Sequence, residues 1–345
     1  MATHVLERRG SSKDIWKTLG DKGEVTGVYF IFSDRVSVFD VGPLPVLFPG
    51  LGQLRCAIAG RMFQALNNAG FNTHYLSHDV SSARMCVKPV NIPALNIDYG
   101  EAAVGTMLPV ELLSRRMITK KFFGRIKTGR RKKGEVSQAE IERLLVFPGL
   151  KEMAVMDPPF VECSTKYEDA DRYITNVEAG MLVKHGEWWL VKICYPFVDK
   201  LFQFFYGFLR SEANFLLVDG KVELATTFDD GLMLVDSVSP DELGLIDPQG
   251  RLADKNIIRS YIIEHYPEWY AALEEAKKKY PKNKSKWPGY PQDLILPPRL
   301  ISGYIEKTRD VAEAISAIWN LFLPESKGRR KATAFYFHLL CKYIK

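Results

Sequence analysis

Features typical of secreted, membrane and zinc-binding proteins are missing from this sequence. Its five cysteines are odd in number and far apart, which excludes the close pairing of zinc sites and disulfide frameworks. Glu7, Arg8 and Arg9 stand where a secretory signal has an apolar core, and no run reaches the roughly 18 apolar residues of a membrane span. We therefore expect a cytoplasmic protein with no membrane partner.

The sequence also has only a small excess of positive charge, and its histidines do not form metal-binding patterns. The net charge is +6 over 345 residues, and the basic runs at 130–133 and 327–331 contain no aromatic residues. Nucleic-acid-binding surfaces usually interleave basic with aromatic residues, so the composition argues against a nucleic-acid partner. An enzyme with anionic substrates explains the excess of positive charge equally well. The six histidines have no metal-ligand spacing. The stretch from Gly124 to Gly129 lacks the lysine and hydroxyl of a Walker A loop.

The sequence does contain short strand patterns followed by longer helical ones. Val28–Phe32 and Val36–Phe39 are aromatic and β-branched runs separated by a turn, which predicts strand, turn, strand and a β-rich N-terminal lobe. From Leu54 to Asn68 apolar residues recur at helical spacing, and Gly70 follows as a C-cap would. Further predicted elements are a strand at 110–113, a helix within 115–133, and helices at 137–146, 187–211, 255–280 and 300–323.

An acidic β-hairpin carries the clearest chemical signal. Asp219, Lys221 and Glu223 alternate, so their side chains share one face of an extended strand, and a turn at 229–231 would bring Asp236 near them. Carboxylate oxygens from two strands suit Mg²⁺, which completes its ligand shell with water and substrate phosphates. Acidic residues beside a hairpin are also common as exposed turn residues, so the pattern alone leaves both interpretations open.

The hairpin is one of several motifs that together resemble the SAICAR synthetase family. Residues 218–224, Val-Asp-Gly-Lys-Val-Glu-Leu, and 236–241, Asp-Ser-Val-Ser-Pro-Asp, resemble the family's D-x-K-x-E and D-E-x-S-P-D motifs. Other motifs follow in the family's order. They are R-G-S-S-K at 9–13, S-D-R-V-S-V-F-D at 33–40, P-G-L-G at 49–52, G-F-N-T-H at 70–74, P-V-E-L-L-S-R at 109–115, S-T-K at 164–166 and D-K-N-I-I-R at 254–259.

The resemblance covers roughly residues 7–320 and implies a two-lobed α+β fold with ATP in the cleft. An antiparallel, β-rich lobe that binds the nucleotide would span 1–113. An α+β lobe with the metal and substrate site would span 114–323, and a basic amphipathic tail would follow at 324–345.

The implied activity is that of an ATP-dependent ligase of purine biosynthesis. It would join aspartate to carboxyaminoimidazole ribonucleotide through an acyl phosphate and give SAICAR, ADP and phosphate. ATP and Mg²⁺ are the implied cofactors, and ATP, aspartate and the imidazole ribonucleotide are the implied small-molecule partners. Association into a homo-oligomer stays open.

Site residues follow from the resemblance position by position. Asp219 and Lys221 would lie at the reacting carboxylate, and Glu223 and Asp236 would hold Mg²⁺. The nucleotide would be bound by Gly10, Ser12, Lys13 and Glu111. The other substrates would be bound by Ser37, Asp40, Arg115, Lys121, Lys166, Asp171, Ser239, Asp241 and Arg259.

The sequence departs from the family mainly in motifs for the imidazole ribonucleotide. Lys120 and Lys121 replace the glycine and serine of R-x-x-x-x-G-S, Leu51 replaces a lysine, Ser237 a glutamate, and Gly244 an arginine. One interpretation is a SAICAR synthetase whose two lysines take over phosphate binding. Another is a paralogue that uses the same Mg-ATP machinery on a different carboxylate or amine. A third is a non-enzymatic nucleic-acid-binding protein, suggested only by the basic loop and tail.

Overall fold

The structure, a computed structural model, contains two antiparallel β-sheets and helices that pack on them. It describes residues 3–92, 105–128, 151–168, 172–227, 231–281 and 283–322. The predicted helix at 137–146, Asp171 and the tail at 324–345 lie outside these residues. None of the helices within the described ranges is long and apolar enough to cross a membrane.

The first sheet has five strands in the order β1-β2-β3-β5-β4. Helix α1 (Leu51–Asn68) contacts β3 and β4 of this sheet. A Cβ atom at Gly52 would lie 2.6 Å from the main-chain oxygen of Phe32, so this helix can approach β3 closely only with glycine at that position. The strands are β1 (Thr3–Arg9), β2 (Lys13–Leu19), β3 (Val25–Phe32), β4 (Tyr75–Asp79) and β5 (Arg84–Val87).

The predicted strand at Val36–Phe39 was wrong. Ser37 forms only an isolated bridge with Pro43, and Phe39 has a φ of 60°, which ends an extended run. Val36 and Val38 are apolar because they belong to a buried cluster in which C-terminal helices also take part. Burial in a loop therefore produced the alternation that resembled a strand.

The second sheet has the strand order β10-β9-β6-β7-β8, and β11 pairs with the first part of β9. Helix α5 (Tyr195–Ala213) contacts β9, β6 and β7. The strands are β6 (Val110–Met117), β7 (Val155–Thr165), β8 (Tyr173–Ile174), β9 (Leu216–Thr226), β10 (Leu232–Val235) and β11 (Leu243–Ile246). The other helical elements are α2 (Lys120–Thr128), α3 (Asn176–Leu182), α4 (Gly186–Trp189) and a π-helical turn (Leu190–Cys194).

The predicted helix over 255–280 is two helices, α6 (Asn256–His265) and α7 (Pro267–Lys279). Pro267 causes the break, because proline removes a main-chain donor and favours the first position of a new helix. A short 3₁₀ turn (Lys284–Lys286) precedes the last described helix, α8 (Pro298–Phe322).

The residues form two compact units that the chain enters more than once. The first contains Met1–Val90, Ser237–Asp241 and Gln249–Asn320, and the second contains Asn91–Asp236 and Glu242–Pro248. These units differ from the predicted lobes 1–113 and 114–323. The reason is that Ile258, Ile262 and Tyr304 are buried in one cluster with Val36 and Phe48, which joins the C-terminal helices to the N-terminal part of the chain.

Candidate active site

Strands β9 and β10 bring the carboxylates of Glu223 and Asp236 near each other in the second unit. Val235 is the register partner of Glu223, and Asp236 follows it directly. Glu223 is 6% exposed, and Asp236 has a φ of 68°, a conformation that non-glycine residues keep only where their surroundings hold it. Burial raises the pKa of Glu223, Asp236 raises it further, and Lys166 and Lys221 oppose both effects. Such a pair favours a bound cation.

Two lysines accompany these carboxylates. Lys166, which follows β7, forms an ion pair with Glu223. The Nζ atom of Lys221 lies 2.6 Å from Oε1 of Glu111, and Ser164 donates a hydrogen bond of 3.2 Å to Oε2 of the same carboxylate. The predicted site residues Glu111, Lys166, Lys221 and Glu223 thus lie in one connected group on the second sheet.

The carboxylate pair fits an open magnesium site. In the described part of the chain, no group of three or more His, Cys, Asp or Glu side chains is arranged to hold a metal ion. Mg²⁺ does not need such a cage, because it commonly takes one or two carboxylates and completes its shell with water and substrate phosphates. Glu223 and Asp236 supply that kind of partial ligand set.

Asp219 belongs to a second charged group, which surrounds Arg115. These two residues are register partners, and Nη1 of Arg115 lies 2.9 Å from Oδ2 of Asp219. The Nε atom of Arg115 donates to Glu162, and Nη2 donates to the hydroxyl of Tyr173 at 3.0 Å. Arg125 of α2 binds the same Glu162 at 2.7 Å. The guanidinium of Arg115, predicted to bind substrate, is therefore held by three protein groups.

Gly244 leaves room for the carboxylate of Asp219. The two residues are register partners on β11 and β9. A Cβ atom at position 244 would lie only 2.3 Å from Oδ1 of Asp219. The glycine that replaces the family's arginine thus permits the observed orientation of Asp219.

The turn between β1 and β2 presents Lys13 in the first unit. The nitrogen of Gly10 donates to the oxygen of Lys13 at 2.9 Å, and a Cβ atom at Gly10 would lie 2.5 Å from that oxygen. The main-chain oxygen of Ser12 accepts from the nitrogen of Ser33 at 2.9 Å. The Nζ atom of Lys13 is buried and donates to Oγ of Ser237 at 2.8 Å. Gly10, Ser12 and Lys13, the predicted nucleotide-binding residues, therefore lie together at the turn of the hairpin that β1 and β2 form.

Asp241 is bound by Arg55, a partner that no sequence pattern indicated. Nε and Nη2 of Arg55 lie 2.5 and 3.0 Å from the two oxygens of Asp241. The Oγ atom of Ser239 accepts a hydrogen bond of 3.2 Å from the nitrogen of Asp241. Arg55 lies in α1, where only the apolar spacing had indicated structure, and its 1% exposure follows from these long-range contacts.

Asp40 and Arg259 lie in the first unit near another unforeseen residue, Lys277. The Nζ atom of Lys277 lies 3.0 Å from Oδ2 of Asp40. Nη1 of Arg259 donates to Asn256 at 2.9 Å. Ser37 precedes this group in the loop after β3. The side chain of Lys121 and all of Asp171 fall outside what the structure describes, so their predicted roles stay predictions.

Comparison with known proteins identifies related sequences. A family model described as SAICAR synthetase matches residues 6–276. A putative phosphoribosylaminoimidazole-succinocarboxamide synthase from Archaeoglobus fulgidus is 30% identical over 345 aligned residues, which cover 93% of this chain and 94% of the relative. A phosphoribosylaminoimidazole-succinocarboxamide synthase from Thermoplasma volcanium is 25% identical. That alignment covers 77% of this chain and 86% of the relative.

Solved structures share the fold. A SAICAR-synthase from Saccharomyces cerevisiae complexed with SAICAR aligns with a TM-score of 0.62 at 18% identity, over 91% of this chain and 95% of the yeast chain. A type-2 SAICAR synthetase in complex with ADP aligns with a TM-score of 0.54 at 22% identity, over 76% of this chain and 95% of its own. The predicted α+β fold class is confirmed.

Proposed function

The chain belongs to the SAICAR synthetase family, and we propose that it uses Mg-ATP to join aspartate to carboxyaminoimidazole ribonucleotide. Members of this family are ATP-dependent ligases, and so is this chain. The observation that carries the proposal is the pair Glu223 and Asp236, with Lys166 and Lys221 beside it. A site of this kind suits phosphoryl transfer, because cations must stabilise the negative charge on the oxygens of the transferred phosphoryl group.

The proposed chemistry has two steps. A carboxylate oxygen of the ribonucleotide bonds to the γ-phosphorus of ATP while the bond from that phosphorus to ADP breaks. The aspartate nitrogen then bonds to the acyl carbon, the carbon–oxygen bond to phosphate breaks, and the nitrogen loses a proton. Phosphorylation is needed because an unmodified carboxylate is a poor electrophile.

Within the second unit, four charged residues have proposed roles in the reaction. Glu223 and Asp236 would hold Mg²⁺. When bound, this ion would offset the negative charge of the phosphate oxygens. Lys221 lies on the same strand face as Glu223 and offers an ammonium to the reacting carboxylate. Asp219 keeps one oxygen, Oδ1, that Arg115 does not bind, and we assign it to orienting the incoming amine.

Within the first unit, the turn from Gly10 to Lys13 is a proposed nucleotide contact. The ammonium of Lys13, which follows the tight Gly10–Lys13 turn, is suited to phosphate oxygens because it is a cationic donor. In the structure, the ammonium of Lys13 donates a hydrogen bond to the hydroxyl of Ser237, which holds it in position. We therefore expect Lys13 to contribute to ATP affinity.

One observation favours a second candidate, a ligase for a different carboxylate. The guanidinium of Arg115 is already bound to Glu162, Asp219 and Tyr173. Position 244, where the family has a second arginine, is a glycine, so that second cation is absent. Lys120, which stands where the family has a glycine, is the first residue of helix α2. These changes affect the ribonucleotide motifs and leave Glu223, Asp236 and Lys13 in place.

The deciding experiment supplies Mg-ATP, aspartate and carboxyaminoimidazole ribonucleotide to the purified chain. We expect the succinocarboxamide product and ADP in equal amounts, and both should form about 100-fold more slowly with the Glu223→Gln variant. If no amide forms although Mg-ATP still binds, the first candidate is wrong, and a screen of other carboxylates and amines tests the second. Absence of Mg-ATP binding would contradict both.

A further inference from the structure

A helical segment of the second unit leaves a group of apolar side chains uncovered. Met181 on α3 is 71% exposed, and Trp188 on α4 is 69% exposed. The other large apolar side chains of this segment with exposures of 36–48% are Val177, Leu182 and Ile193. Single exposed apolar residues are common, whereas a group on successive helices marks an interaction surface. We call these five residues the Trp188 face.

Close packing between α3 and α4 makes the members of this face neighbours. A Cβ atom at Gly180 would lie 2.3 Å from the main-chain nitrogen of Glu187, so the two main chains touch at this point. Met181 and Trp188 each follow one of these residues, and their Cα atoms therefore lie within about 13 Å of each other. Val177 precedes Met181 by four positions, so both side chains lie on the same side of α3.

The helices that carry the face rest on the side of the second sheet away from the proposed reaction residues. The hydroxyl of Tyr195 binds Oδ1 of Asn176 at 2.5 Å and lies 3.6 Å from Sγ of Cys163. Cys163 follows Glu162 on β7, so their side chains point to opposite faces of the sheet. Glu162 binds Arg115 on the other face. Substrate binding there does not explain the apolar character of the Trp188 face.

The C-terminal tail contains an apolar stripe that also needs a partner. The stripe consists of Tyr336, Leu339, Leu340, Tyr343 and Ile344. Their spacing predicts a helix with one apolar side. His338, Cys341 and Lys342 would lie on the opposite side of that helix. A short amphipathic helix gains most of its stability from packing its apolar side on another surface, so the sequence predicts a docking partner for this stripe.

The described chain ends in the unit that carries the face. Helix α8 ends at Phe322, and its last two residues, Leu321 and Phe322, belong to the second unit. The 13 residues 323–335 connect that point to the stripe. A connection of this length spans up to about 40 Å when extended, which is about the diameter of a unit of this size. The stripe can therefore reach the Trp188 face.

We propose that residues 336–344 dock as a helix on the Trp188 face and cover it. Docking would remove both apolar surfaces from water, which stabilises the contact. The exposed Lys184 and Lys192 lie in the same helical segment as the face. A self-complementary contact with a second copy would bring these lysines close to like charges, whereas the stripe has only Lys342, on its far side. The inference does not depend on the proposed ligase function.

Trp188 reports on the docking directly, because acrylamide quenches its fluorescence only where solvent reaches the ring. The full-length protein is compared with Leu339→Asp/Leu340→Asp, which puts charge into the stripe, and with the control His338→Asp/Cys341→Asp, which puts charge on the opposite side. Matching proteins with Trp188→Phe are measured to subtract the other tryptophans. We expect Trp188 to be shielded in the parent protein and in the control, and its quenching to increase severalfold in the stripe variant.

Limited trypsin digestion of the full-length protein tests the docking from the other partner. Trypsin cleaves after Lys342 only while the tail is undocked, so the rate follows the undocked population. We expect Trp188→Asp to accelerate this cleavage by about tenfold or more, because it places a charge in an apolar contact. The control Leu76→Asp changes an apolar side chain of 56% exposure on β4 and should be cleaved like the parent protein.

The inference is overturned if Trp188 is quenched as readily in the parent protein as in the stripe variant, or if Trp188→Asp leaves cleavage after Lys342 unchanged. Two further results would assign the face to another partner and overturn it as well. Shielding that survives the stripe substitutions but disappears on dilution would identify a second copy of the chain. Shielding that appears only with vesicles of anionic lipid would identify a membrane surface.

Discussion

Both oxygens of the Asp241 carboxylate are bound by the guanidinium of Arg55, at 2.5 Å from Nε and at 3.0 Å from Nη2. Arg55 also donates to the main-chain oxygens of Ser33 and Arg35, each at 2.6 Å. One buried side chain therefore connects α1, the loop after β3 and the segment 237–241 within the first unit. Because Ser237 lies in that segment and binds Lys13, the ion pair indirectly supports the proposed nucleotide contact.

We expect Arg55→Ala to lower the free energy of unfolding by about 3–5 kcal/mol, because it leaves the Asp241 carboxylate buried without its counter-charge. Arg55→Lys should recover only part of this loss, since an ammonium cannot bind both carboxylate oxygens in one plane. Urea denaturation measures both effects. Arg61→Ala on the same helix is the control, because Arg61 is only partly buried and bonds to the neighbouring Gln64. Equal losses for Arg55→Ala and Arg61→Ala would contradict the structural role of the pair.

The carboxylates of Glu223 and Asp236 should be needed for turnover more than for substrate binding. We expect Glu223→Gln and Asp236→Asn each to lower kcat by about 100-fold, as expected when a group that stabilises charge in the transition state is lost. The Michaelis constant for aspartate should change little. Glu264→Gln, an exposed glutamate on α6, is the matched control. A rate that stays unchanged at saturating Mg²⁺ would remove both residues from the site.

The hairpin could be predicted because its information is local. The alternation of Asp219, Lys221 and Glu223 predicted a strand with these side chains on one face, and β9 has that form. The contacts of Lys221 with Glu111 and of Glu223 with Lys166 agree with the grouping that the motifs implied. Strand periodicity and family motifs were sufficient to predict that these side chains lie close together, and their roles stay predictions.

The partners of Asp241, Asp40 and Arg115 could not be predicted, because they come from elements far apart in the sequence. Arg55 and Asp241 are separated by 186 positions, and Lys277 and Asp40 by 237. Nothing in the local pattern of α1 or α7 distinguishes these cations from exposed ones. Glu162 was missed for the same reason, since its role depends on the pairing of β6 with β7.

Glu162 should make stability depend on pH in the acid range. Burial alone would raise the pKa of this carboxyl, but Arg115 and Arg125 lower it below the ordinary value of 4.5. A carboxyl with a lower pKa in the folded state stabilises the protein above its unfolded pKa, and this contribution is lost as the pH falls through the folded value. We therefore expect the contribution of Glu162 to be constant at neutral pH and to decline below about pH 4.5.

The measurement is the free energy of unfolding of the parent protein and of Glu162→Gln between about pH 7 and about pH 3. At neutral pH the variant should be less stable by about 3 kcal/mol, because two arginines lose their shared anion. The difference between the two proteins should shrink as the pH falls. A difference that stays constant over the whole range would show that the charge of Glu162 is not the stabilising feature.

Gly244 should control the orientation of Asp219, because a Cβ atom there would lie 2.3 Å from Oδ1 of that carboxylate. In Gly244→Ala the carboxylate must turn away, which would break its 2.9 Å contact with Nη1 of Arg115. We expect kcat to fall by about tenfold or more, since small displacements of reacting groups are costly. Gly289→Ala is the control, because nothing lies within 4 Å of a Cβ atom at that position. The Gly244→Arg variant, which introduces the family's arginine, should also have a lower kcat than the parent protein, because its Cβ atom meets the same carboxylate. Activity in Gly244→Ala equal to that in Gly289→Ala would show that Asp219 does not need this orientation for the reaction.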